Sequence, residues 1–201
     1  MSDGQTTNVL VVGVGGQGII RLSNLIADVA FSLDFDVKKS EIHGLSQRGG
    51  SVTSHVRWGH KVHTPVIMDG EADFILALEE LEALRNAHVL KPEGTILVSD
   101  FRLLPATVVS GKATYPDDID ARLGEYGTVE RVKAVDVARD LGNIRASNVV
   151  LLGAFSRHLA IPEEAWTAAV ARAFPGKFLD LNQKAFAAGR ELACTPGVNE
   201  A

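Results

Sequence analysis

The sequence predicts an α/β fold: a doubly wound, mostly parallel sheet with helices on both faces and a helical C-terminal segment. Three observations predict it. A short apolar run, Asn8 to Val12, ends at a glycine turn and is followed at once by a helical period. Strand-like and helix-like runs then alternate as far as Val135, the order that gives parallel strands joined by crossovers. From Asp136 onward only helical spacing remains.

Each element has its own signal. Val9, Leu10, Val11 and Val12 are continuously apolar, as in a strand buried on both faces. Leu22, Leu25, Ile26, Val29, Ala30 and Leu33 recur at spacings of three and four, one face of a helix. Asp36 to Ile42 reads as a second, less apolar strand. Ser51 to Trp58 alternates, with Val52, Val56 and Trp58 on one face and Ser51, Thr53, His55 and Arg57 on the other. That alternation puts His55 and Arg57 on a solvated or partner-facing side. Gly59-His60-Lys61 is expected to turn the chain into a hairpin strand ending near Ile67. Ala72 to Leu78 is a buried-type strand, and a helix rich in Glu and Leu follows from Glu79 to Ala87. Pro92-Glu93-Gly94 reads as a turn before a strand at Thr95 to Val98. A short helix is expected over Pro116 to Leu123 and a late strand over Val129 to Val135. Arg145 to Leu159, Pro162 to Ala173 and Lys177 to Ala193 read as helices. Pro162 stands at a first-turn position, where its missing N–H costs least. Phe178, Leu181, Ala185, Ala188 and Leu192 trace one face of the last. No repeat, low-complexity tract or linker interrupts the pattern, so one domain is expected across 1–201, with the C-terminal helices packed on the sheet.

Composition narrows the function. The 201 residues are 46% apolar and 22% charged, a globular balance. The formal net charge of -5 gives no support to a nucleic-acid role. Cys194 is the sole cysteine, which rules out an internal disulfide and a self-contained cysteine-ligated cluster needing about four thiolates. No stretch approaches the roughly 20 apolar residues of a membrane span. Met1 to Thr7 is polar and lacks a basic-then-apolar leader, so a cytoplasmic location is expected.

Two segments carry chemistry. Gly13-Val14-Gly15-Gly16-Gln17-Gly18 fits G-x-G-x-x-G between a strand and a helix, a Rossmann-like context. Its glycines permit a tight turn and let an anion approach the helix N-terminus. Glu41, about 20 residues on, stands where a ribose-binding carboxylate is expected. An NAD(P)- or FAD-binding domain therefore stays open beside a turn that serves packing alone. The second segment runs Ser40-Glu41-Ile42-His43-Gly44-Leu45-Ser46-Gln47-Arg48-Gly49-Gly50-Ser51. Glu41 and His43 are two apart on a strand and share a face, where the carboxylate can orient the imidazole. Arg48 beside Gly49-Gly50 combines a guanidinium with open backbone amides, a pattern suited to an anion. His60 and His63 match no zinc spacing, so no metal site is expected. His88 and His158 read as ordinary helix-end residues.

Together the glycine turn and the Ser40–Ser51 segment resemble the gamma-type subunits of 2-oxoacid:ferredoxin oxidoreductases, the indolepyruvate type above all. Asn148-Val149-Val150-Leu151-Leu152-Gly153-Ala154, and Asn182 with Ala185-Phe186 before Gly189, extend the resemblance over nearly the whole chain. The resemblance implies a single gamma-type catalytic domain acting as an accessory subunit. The complex converts a 2-oxoacid, an aryl pyruvate such as indolepyruvate, to an acyl-CoA with reduction of ferredoxin; pyruvate, 2-oxoglutarate or a branched-chain oxoacid stay open. It places thiamine diphosphate and iron–sulfur clusters on the large (alpha) subunit, with coenzyme A as co-substrate and no cofactor held by this chain alone. The isolated chain is then expected to be inactive. Glu41, His43 and Arg48 become the catalytic candidates. Gly13, Gly15, Gly16, Gln17, Gly18, Ser46, Gln47, Gly49, Gly50 and Ser51 become the cofactor-binding candidates.

Overall fold

The computed structural model describes residues 6–44, 49–192 and 195–196. Strand β1 (Thr7–Val14) lies at the centre, and its alternate residues feed two cores. Val9 and Val11 face one apolar cluster, Leu10 and Val12 the other, and all four are fully buried. That is why the run is continuously apolar. Helix α1 (Ile19–Ser32) buries Leu22, Leu25, Ile26, Val29 and Ala30 against the first cluster, each large side chain contributing about 1.5–3 kcal/mol.

The other strands are β2 (Asp36–His43), β3 (Ser51–Gly59), β4 (Ala72–Ala77), β5 (Leu90–Ser99), β6 (Thr128–Val132) and the two-residue β7 (Thr195–Pro196). Their order is β2-β3-β1-β4-β5-β6-β7. β1, β4, β5 and β6 run parallel, while β3 is antiparallel to both β1 and β2, and β7 to β6. The α/β, Rossmann-like expectation stands, with a parallel centre and antiparallel margins. Helices cover both faces. α2 (Glu80–Asn86) and α4 (Ile119–Gly124) pack on the Leu10 side. α5 (Ala134–Asp140), α6 (Ser147–Ser156), α7 (Glu163–Ala173) and α8 (Leu179–Glu191) pack with α1 on the Val9 side. A short exposed helix, α3 (Ala106–Val109), sits between β5 and α4.

The C-terminal helices belong to the sheet's own core. Phe155 of α6 meets Phe74 of β4 edge-on at 5.3 Å and Trp166 of α7 at 6.0 Å. α6 and α8 cross in backbone contact: a Cβ on Gly153 would lie 2.2 Å from Phe186 O, and one on Gly189 would lie 2.0 Å from Val150 O.

Three expectations need correction. No strand forms over residues 60–67. Pro65 cannot donate to a ladder, and the segment's backbone bonds instead to side chains. Val62 N donates to Asp36 Oδ2 at 2.9 Å, Ile67 N to His55 Nδ1 at 3.2 Å, and Val66 O accepts from Arg57 at 2.6 Å. The segment thereby covers the β3 face expected to be solvated, leaving His55 only 5% exposed. The Pro92–Gly94 turn becomes a bulge inside β5, with Glu93 at φ 65°. The late strand ends at Val132, and Val135 instead lies buried in α5.

Candidate functional site

The carboxyl ends of β1, β2, β4, β5 and β6 share one edge of the sheet. In open α/β sheets this edge receives ligands. Both chemistry-bearing segments emerge there. The turn after β1 is held by Gln17. Its Oε1 accepts from Val14 N at 2.7 Å, and its Nε2 donates to Leu78 O at 2.8 Å, just past β4. Both ends of this amide are thus spent on bracing. Gly13 leaves room for it, since a Cβ there would lie 2.8 Å from Gln17 Oε1. Gly18 takes φ 86° at the start of α1, and a Cβ there would meet Asn148 Nδ2 at 2.3 Å. An L side chain is excluded at Gly18 by both conformation and space. No side chain caps α1 and no acidic residue stands in its first turn, so its first amides stay open to an anion.

The second segment is fastened to this turn. Gly15 N donates to Gly50 O at 2.8 Å, and Gly49 N to Gly15 O at 3.3 Å. Ser51 then opens β3 opposite Val14. The two glycine segments, bonded through residues 34 and 35 apart in sequence, form one ridge. A cleft of about 400 Å³ lies on one side, lined by Gly15, Gly16, Gly18, Ile20, His43 and Val52. A second, of about 520 Å³, lies on the other side, lined by Gly49, Ser51 and Val14 facing Leu103, Leu104 and Val109. A third, of about 360 Å³, touches Gly16 and Gly18 and carries Arg21 and Arg145. Asn148 lines that cleft, its Oδ1 buried without a partner.

His43 thus reaches a cleft with the glycine turn, whereas Glu41 does not orient it. The Glu41 carboxylate pairs with Lys39, whose Nζ also donates to Asn24 Oδ1 at 2.5 Å. His43 Nδ1 lies 3.2 Å from the carbonyl of its neighbour Gly44. Ser46, Gln47 and Arg48 lie outside the described residues. The ribose role of Glu41 meets an obstacle in the strand order: β3 stands between β2 and β1, which sets Glu41 two strand spacings, about 10 Å, from the glycine turn.

Sequence reasoning missed the acidic cluster beside the ridge. Glu79, Glu80 and Glu82, after β4, are 1%, 4% and 2% exposed. Glu79 accepts from Tyr115 Oη at 2.8 Å, Leu103 N at 3.1 Å and Glu82 N at 2.9 Å. Burial and this bond push the Tyr115 hydroxyl above its ordinary pKa. Glu80 accepts from Arg102 at 2.6 Å and Arg131 at 2.5 Å. Glu82 accepts from Ser51 Oγ at 2.5 Å. In the sequence Glu79 to Ala87 reads only as a helix rich in Glu and Leu. The position of the run directly after a mostly buried strand was the available signal.

Among the described residues no three His, Cys, Asp or Glu side chains gather to hold a metal ion, and no helix is long and apolar enough to cross a membrane. The family model described as pyruvate ferredoxin/flavodoxin oxidoreductase matches residues 8–192. The indolepyruvate oxidoreductase subunit IorB of Thermococcus kodakarensis is 37% identical over 192 residues, 92% of this chain and 95% of that one. IorB of Archaeoglobus fulgidus is 38% identical, covering 92% and 94%. The gamma subunit of a keto/oxoacid ferredoxin oxidoreductase from Geobacter sulfurreducens superposes with a TM-score of 0.69 at 26% identity, covering 92% of this chain and 96% of its own.

Proposed function

The chain belongs to the pyruvate ferredoxin/flavodoxin oxidoreductase family, and from that premise we propose that it is the accessory subunit of an indolepyruvate-type 2-oxoacid:ferredoxin oxidoreductase. In this reading it is one gamma-type catalytic domain that works in the cytoplasm, docked on a large subunit and inactive alone. The reaction is oxidative decarboxylation of a 2-oxoacid to an acyl-CoA, with ferredoxin as acceptor. Thiamine diphosphate supplies the electron sink for decarboxylation and belongs to the large subunit. An iron–sulfur cluster does not fit this chain, whose one cysteine is Cys194.

The observation that carries the proposal is the ridge in which Gly15 bonds both Gly49 and Gly50, at the ligand-binding edge of the sheet. Gly15 N–H and Gly49 N–H are spent on the ridge itself, which fixes the turn leading to the uncapped first amides of α1 before any ligand arrives; preorganised donors are the ones that stabilise charge effectively. Arg48, adjacent in sequence, supplies a guanidinium for the oxoacid carboxylate or the coenzyme A phosphates. His43 borders the cleft on the α1 side and polarises its rim, while Glu41 is paired with Lys39 at the same strand end.

The test is co-expression with the large subunit and an assay of oxoacid- and coenzyme A-dependent reduction of ferredoxin or a dye. Arg48→Ala is expected to lower turnover or raise the coenzyme A requirement about tenfold or more, the loss of a charge-assisted contact. Aryl pyruvates are expected to outcompete pyruvate, 2-oxoglutarate and branched-chain oxoacids. If Arg48→Ala assembles and turns over every oxoacid normally, the role given to Arg48 is wrong.

A further inference from the structure

Ser51 follows Gly49 and Gly50 directly, and its hydroxyl reaches across to Glu82 Oε2 at 2.5 Å. Glu82 stands in the first turn of α2, and its second oxygen accepts from Arg85 Nη1 at 2.5 Å. Its own backbone N–H is bonded to Glu79, so the carboxylate sits on a fixed mount. A carboxylate this buried is tolerated only when its oxygens are occupied. The Ser51 contact adds nothing to regular structure: Ser51 already sits opposite Val14 in the β3–β1 register, and α2 is capped by Glu79. What the contact does fix is the leg of chain whose Gly49 N–H and Gly50 C=O bond to Gly15.

We propose that Glu82 is a positioning residue, which acts through Ser51 Oγ to hold Gly49 and Gly50 against the glycine turn. Ser51 is then an anchor and not a ligand contact. This rests on the proposed function, in which the ridge faces the substrates. The ridge holds in place the turn that presents the uncapped first amides of α1, which bind the ground state and the transition state alike, so loosening it removes uniform binding and raises KM without lowering kcat.

The experiment uses the assembled complex with its large subunit. Ser51→Ala is the mild variant, because Ser51 lies at the surface. It is expected to raise KM for coenzyme A or the oxoacid about tenfold at unchanged kcat per assembled complex, the equivalent of one hydrogen bond to a charged group. Ser51→Thr, which keeps the hydroxyl, restores KM. Glu82→Ala gives a similar rise, and the double variant goes no further than the larger single effect. A normal KM in Ser51→Ala overturns the proposal. So do factors that multiply in the double variant, or a fall in kcat at constant KM, the signature of lost folded complex. Arg48→Ala, measured alongside, separates the two readings. If Arg48→Ala is impaired and Ser51→Ala is normal, the anchor is overturned and the proposed function stands. If Ser51→Ala is impaired and Arg48→Ala is normal, the anchor is supported and the role of Arg48 falls.

Discussion

Two acidic segments leave the same edge of the sheet and behave oppositely. Glu79, Glu80 and Glu82, after β4, are almost wholly buried, and their partners come from β3, β6 and the segment after β5. Glu41 and His43, at the end of β2, are exposed, and their described polar partners are Lys39 and Gly44, two residues away or fewer. The strand order explains the contrast. β4 is a central strand with neighbours on both sides and helices above its end, whereas β2 is the sheet's edge. A carboxylate at a central strand end must be partnered by the fold, or it costs several kcal/mol. One at an edge keeps part of its water and needs only a local pair, as Glu41 has in Lys39, a pair that another molecule can displace at little cost. The first segment therefore carries stability, and the second is where function can be changed without unfolding the chain.

The largest expected effect that tests this contrast is at Glu79. Glu79→Ala removes the N-cap of α2 and leaves the Tyr115 hydroxyl and Leu103 N–H without their acceptor. The expected loss is about 3–4 kcal/mol. In a domain of this size that lowers the melting temperature by about 10 °C. Calorimetry or urea unfolding of the purified chain measures it. A loss below about 1 kcal/mol would remove the distinction between the two segments.

A smaller effect is expected from His55, buried on β3 where the sequence pattern put a solvated residue. Its Nδ1 accepts from Ile67 N, so Nε2 carries the proton and the ring is neutral. Burial, and then the nearby Arg57 charge, push its pKa below the ordinary 6.5. The unfolded chain thus binds the proton more readily. The stability this contributes is complete above about pH 6.5 and is lost as pH falls toward the folded-state value. Between pH 7.5 and 5.5 the wild type is expected to lose more stability than His55→Gln, which cannot titrate. Parallel urea melts at the two pH values check this, and equal slopes for both proteins would refute it.

How far the sequence revealed this molecule follows from the range of the signals. β1, α1 and the C-terminal helices were legible because hydrophobic period is a local signal and each element buries a full face. The glycine turn was legible for the same reason, since its spacing lies within six residues. What joins Gly15 to Gly50, Ser51 to Glu82, or Gln17 to Leu78 is strand order, which no local window contains. The order also decided against the Glu41 ribose reading, because an antiparallel β3 occupies the place next to β1. Residues 60–67 misled for a related reason: Ile67 is buried beside His55, the Val66 carbonyl takes Arg57 and Val62 N–H is fixed by Asp36, so the segment is a cover and not a strand.

The smallest stability effects are expected at the β2 end, and these sharpen the comparison most. Glu41→Gln removes one exposed pair with Lys39, and such pairs contribute about 0–1 kcal/mol. His43→Ala removes a ring whose described bond is to its own neighbour's carbonyl. Each is expected to leave urea stability within about 0.5 kcal/mol of wild type. In the assembled complex His43→Ala is nevertheless expected to lower kcat/KM about tenfold or more, because His43 borders the cleft beside Gly15, Gly16 and Gly18. Glu41→Gln should change it less than threefold, since its carboxylate is turned to Lys39. Equal kinetic losses for both would mean that Glu41 leaves Lys39 for His43 when the large subunit docks. No loss for either would move the function of this edge wholly onto the glycine ridge.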